Sequence, residues 1–128
     1  MDTVGSVNGR RLGILSLRAD AVYCLIAGVA VCVLAGPLGS AAGVPASALV
    51  VAGAATIVWA IGLWVGSRPQ WVRPALRTVM FANLGAATAA ALLSLTMPSL
   101  AISLLLGAVA VEIAAFAVSQ GVALRRLA

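Results

Sequence analysis

The stretch SRPQWVRPALR, residues 67–77, holds three of the chain's eight arginines between two long apolar runs, and its reading decides the fold. Upstream lies the apolar run 46–66, and downstream the run 75–95. Further out, Arg10, Arg11 and Arg18 lead into a run at 20–38, while Arg125 and Arg126 close a fourth at 100–123. The two remaining connections, Gly36 to Pro45 and Thr96 to Ser99, carry no charge. Loops left on the side of synthesis keep Lys and Arg, and translocated loops lose them. The alternation therefore predicts an all-α bundle of four transmembrane helices, built as two antiparallel hairpins with the N and C termini cytoplasmic.

Composition supports that reading. The chain is 63% hydrophobic and 9% charged, whereas a soluble domain carries about a quarter charged residues. Four spans of about 20 residues each occupy most of the 128 positions. The expected organisation is a cytoplasmic tail at 1–16 and one four-span membrane domain at 17–128. Because the arginines behind the net charge of +5 flank apolar runs, the bilayer's anionic headgroups are the expected counter-charge. Nucleic acid is not, since no basic stretch is interleaved with aromatics. All basic residues are Arg and none Lys, amid abundant Ala, Val and Gly, as in chains from GC-rich bacterial genomes. The expected location is a bacterial cytoplasmic (inner) membrane, as a multi-pass protein.

Residues 10–13, Arg-Arg-Leu-Gly, could head a twin-arginine export signal. The apolar run from Ala21 to about Leu38 exceeds the roughly 7–15 residues of a signal core, so an uncleaved first span is expected. Gly36 and Pro37 should end that span, and Pro45 should open the next near its first turn. Thr96 to Ser99 makes a tight hairpin between the last two spans.

The chain has no His, which removes imidazole ligands and bases. Cys24 and Cys32 lie eight residues apart on one helix, about 12 Å of rise, too far for a disulfide, and read as buried small apolar side chains. No acid pair at metal spacing, phosphate loop or activated nucleophile is visible. The expectation is therefore no catalytic, metal or cofactor site and no enzymatic activity.

Glu112 is the candidate that matters most. It lies about 20 Å of helix rise from Arg125, near the bilayer midplane, where an acidic group costs on the order of 2.5–3.5 kcal/mol. Sharing a face with Ala108, Ala115, Phe116 and Ser119, it is expected to point into the bundle, with Asn83 and Gln120 completing an intramembrane polar site. Asp20 is expected at the membrane interface, in an ion pair with Arg77 or Arg18. Arg68, Trp71 and Arg73 form a candidate lipid-headgroup contact. Gly62 and Gly66 make a GxxxG pair, and Gly28, Cys32 and Gly36 a ridge at the same spacing, the small-residue faces through which helices associate in lipid.

The motifs Leu17, Arg18, Asp20 and Ala21, then Ala35 to Leu38, Gly43 to Pro45, Asn83 and Gln120 resemble those of small four-helix integral membrane proteins of GC-rich bacteria, over about residues 17–126. The resemblance implies the four-span architecture and no activity. The function expected is that of a non-enzymatic polytopic membrane protein acting through helix packing, as a homo-oligomer or an accessory subunit of a membrane partner. The alternative is a small proton-coupled transporter with Glu112 as the titrating site.

Overall fold

The computed structural model describes residues 3–128, and these fold into five helices: α1 (Thr3–Val33), α2 (Ala35–Ala42), α3 (Ala46–Gly66), α4 (Val72–Ser94) and α5 (Leu100–Leu127). All but α2 are long and apolar enough to cross a membrane. The chain is a multi-pass, all-helical bundle of two antiparallel hairpins: α1 packs along α3, α4 packs along α5, and the hairpins join chiefly through α1 and α5. Its outer surface is studded with Val22, Ile26, Val29, Val51, Val58, Ile61, Phe81, Leu92, Val111 and Val118. That is the inverse of a soluble surface and fits lipid as the solvent.

Two boundaries differ from the sequence reading. Residues 3–16, expected as a tail, are the first four turns of α1. They are held because Gly9 and Gly13 are buried at sites where a Cβ would strike the Arg126 side chain and Leu76. Pro37 does not end the first span where expected. Having no N–H to offer Val33, it marks a break at Leu34, and the helix restarts as α2 with Pro37 in its first turn, where the missing donor is harmless. Gly43, at φ 72°, then reverses the chain, a left-handed conformation that glycine adopts without strain.

Contacts of Gly9 with Arg126, Gly13 with Leu76 and Arg73 with the Leu127 carbonyl gather both termini and the α3–α4 connection at one end of the bundle. This arginine end also contains the buried apolar core of Leu17, Ala21, Leu63, Val72, Leu76 and Val79. At the opposite end lie α2 and the α4–α5 turn, where Ser103 donates to the Ser94 carbonyl and Ser99 caps α5.

Candidate functional site

Asp20 stands at the centre of the bundle, 2% exposed. Its Oδ2 accepts from Asn83 Nδ2 at 2.7 Å and from Gln120 Nε2 at 2.9 Å, and its Oδ1 from the Cys24 thiol at 3.4 Å. Asn83 Nδ2 also donates to Gln120 Oε1 at 3.1 Å, closing a triangle among α1, α4 and α5. Gln120 is fully buried and Asn83 6% exposed. Every partner of the Asp20 carboxyl is a donor, so both of its oxygens act as acceptors.

This arrangement replaces the expected ion pair of Asp20 with Arg77 or Arg18. Residues two apart on a helix do not share a face. Arg18 therefore turns toward α3, where its Nε donates to Ser67 Oγ at 3.3 Å and its guanidinium lies 5.1 Å from the Trp64 ring centroid, while Asp20 turns toward α4 and α5. Arg77 precedes Asn83 by six residues, about 9 Å of rise, and so lies nearer the arginine end than the carboxyl it was expected to meet. Because α1 starts at Thr3, Arg10 and Arg11 are its outermost cations, and Asp20 lies about 14 Å of rise beyond Arg11.

The expected site of Glu112, Asn83 and Gln120 is divided. Asn83 and Gln120 come together on Asp20; Glu112 does not join them. Eight residues separate Glu112 from Gln120, about 12 Å along the axis, and at that level α5 turns Glu112 to the exposed surface of the bundle rather than inward. There its carboxyl neighbours Tyr23, and the Tyr23 ring tilts against Phe116 with centroids 5.5 Å apart. Ala108 and Ala115, on either side of Glu112, are likewise exposed.

Between the hairpins, from Asp20 and Asn83 toward α2, lies a cavity of about 720 Å³. Its wall is apolar, with Ala27, Leu49, Leu106 and Val109 among the lining, while Asp20 and Asn83 provide its polar floor and Tyr23 and Trp59 its sides. Sequence reasoning could not see this volume, because residues of all five helices line it and only the packing of the two hairpins brings them around one space. Cys24, read as a merely apolar filler, contributes a thiol donor. Ser16 was not singled out, yet its hydroxyl meets that of Ser119 at 2.6 Å.

Arg68, Trp71 and Arg73 are all exposed at the arginine end. Arg73 and Arg10 line a separate cleft of about 390 Å³ there. Among the described residues no three His, Cys, Asp or Glu side chains stand close enough to hold a metal ion. No protein-family model, curated protein or solved structure matches this chain.

Proposed function

We propose that this membrane protein is non-enzymatic and acts through helix packing, as a homo-oligomer whose interface covers Glu112. One observation carries the reading: an acidic side chain is exposed on a membrane-crossing helix about 20 Å of rise from its terminal arginines. In lipid such a group costs on the order of 2.5–3.5 kcal/mol, and among the described residues the neighbouring Tyr23 leaves hydrogen-bonding capacity of the carboxyl unused. A second copy related by a two-fold axis meets the need, because a two-fold interface is self-complementary and a carboxyl group sharing a proton is its own complement. The exposed Ala108 and Ala115 beside it allow close helix approach. In a bacterial cytoplasmic membrane, with the arginine end inside, Arg10, Arg68, Arg73 and Trp71 would meet anionic headgroups.

The test is energy transfer between donor-labelled and acceptor-labelled full-length chains reconstituted in one bilayer. The wild type should exceed a dilution control, Glu112→Leu should fall to it, and Glu112→Gln, whose amide also pairs with itself, should keep most of the signal. A monomeric wild type, or Glu112→Leu that associates unchanged, would overturn the reading.

Tyr23 supports a second reading, because it neighbours Glu112 and also lines the central cavity. In a small proton-coupled transporter, Glu112 would be the titrating site and Tyr23 its link to the bound substrate. Glu112→Gln, unable to release a proton, would then abolish any pH dependence of binding in the cavity. A packing role leaves that binding untouched.

A further inference from the structure

The cavity between the hairpins combines an apolar wall with a carboxyl floor. Its volume of about 720 Å³ falls within the range of small-molecule sites, roughly 300–1,000 Å³, and its wall is almost wholly hydrocarbon. At its floor stands the carboxyl of Asp20, among partners that are an amide, a second amide and a thiol, with no guanidinium among them. A carboxylate taken from water is stabilised by paired positive charge, and among the described residues no cation hydrogen-bonds to Asp20. A hydrocarbon wall and a floor whose carboxyl acts as an acceptor are complementary to a molecule with an apolar body and a cationic, hydrogen-donating head.

We propose that this cavity binds a lipophilic amine in its ammonium form, with the head donating to Asp20 beside Asn83 and the apolar body running toward α2. Asp20 and Val31 both line the cavity and stand eleven residues apart on α1, about 16 Å of rise, which gives room for a medium-length alkyl chain. Entry runs from the lipid. Trp59 lines both this cavity and a shallow groove on the outer surface between α3 and α4, so its indole is the side chain that stands between the two. The ammonium then supplies the counter-charge that the protein does not place at Asp20, and Tyr23 borders the bound body. The inference is independent of whether Glu112 forms an interface between copies.

The experiment uses the full chain in phosphatidylcholine nanodiscs, with Trp64→Phe and Trp71→Phe leaving Trp59 as the sole indole. The probes are dodecylamine carrying a tail bromine, which quenches Trp fluorescence, and the alcohol of the same length and bromination. Saturable quenching is expected from the amine, at roughly tenfold or higher affinity than from the alcohol. Asp20→Asn, which keeps the shape of the side chain, should bring the amine down to the affinity of the alcohol. Ala27→Phe with Val109→Phe, which puts two rings into the cavity without adding an indole, should obstruct it and remove saturable binding of both. Equal affinity of amine and alcohol in the wild-type cavity would overturn the proposal. So would undiminished preference for the amine in folded Asp20→Asn, or undiminished saturable binding in the double phenylalanine variant. Should Asp20→Asn fail to fold, the head-group preference of the unsubstituted cavity and the double phenylalanine result still decide.

Discussion

Asn83 Nδ2 lies 2.7 Å from Asp20 Oδ2, a bond between residues 63 positions apart that ties the second hairpin to the first. Asn83→Leu removes that donor and the bond to Gln120 together. A hydrogen bond to a charged group contributes about 1.5–3 kcal/mol, and leaving a buried partner unsatisfied adds to the loss. The variant should therefore unfold more readily in detergent by about 2–3 kcal/mol, read by thermal or denaturant melts. Gln120→Leu should lose a similar amount. Because the two amides share one carboxyl oxygen, the double variant should lose less than the sum.

The close approach of α1 and α3 is centred on Gly28 and Gly53. A Cβ at Gly53 would lie 2.7 Å from the Gly28 carbonyl and 2.5 Å from Cys32 Sγ, while one at Gly62 would meet nothing within 4 Å. Gly53→Val must part the helices and should destabilise the bundle by about 1–3 kcal/mol. Gly62→Val should leave the melting temperature of the isolated chain nearly unchanged. Equal loss from both would mean that the two helices are held elsewhere.

These glycines also mark what was legible in the sequence. Four apolar runs separated by charged and uncharged loops were enough for the architecture, and α3 begins and ends at 46 and 66 as read. Of the two small-residue motifs, Gly28 with Cys32 forms an internal seam against Gly53, whereas Gly36 and Gly62 face open space. Spacing alone carries no information about which face a partner covers. Asn83 and Gln120 were recognisable as intramembrane polar groups, but their acid was taken to be Glu112. The cue to Asp20 was present: Gly9, Gly13, Leu17, Asp20 and Gly28 recur at three-, four- and eight-residue steps on one buried stripe of α1. It was masked by Arg18, which suggests an interface but projects from another face. The cavity had no sequence signature, because it depends on how two hairpins diverge.

At the arginine end, Arg10 and Arg73 line one cleft together with Pro69 and Gln70. If anionic headgroups seat there, neutralising both as Arg10→Gln and Arg73→Gln should reduce copurified phosphatidylglycerol or cardiolipin, each lost cation weakening attraction by about 1 kcal/mol. Arg73 also holds the Leu127 carbonyl, so faster amide exchange over the last turn of α5 should accompany its replacement. Lipid retention unchanged in the double variant would remove the headgroup reading and leave Arg73 its role at the Leu127 carbonyl alone.

The bundle gathers Arg10, Arg73 and Arg126 at the end where Gly9 meets Arg126 and Arg73 meets Leu127, and the positive-inside tendency predicts the assignment of that end to the cytoplasm. Single cysteines test the assignment in a Cys24→Ser, Cys32→Ala background; the serine keeps a donor for Asp20, and the alanine keeps the Gly53 seam clear. Thr96→Cys, in the turn between α4 and α5, should react with a membrane-impermeant maleimide added to intact cells. Ala128→Cys should react only after the membrane is opened. Gln70→Cys, in the connection between α3 and α4, should follow Ala128→Cys, since both belong to the arginine end. Reaction of Thr96→Cys and Ala128→Cys from the same side would contradict the four-span arrangement itself. A clean reversal, with Ala128→Cys and Gln70→Cys labelled from outside, would keep the bundle but invert it, and Arg10 and Arg73 would then face away from the anionic leaflet proposed to hold them.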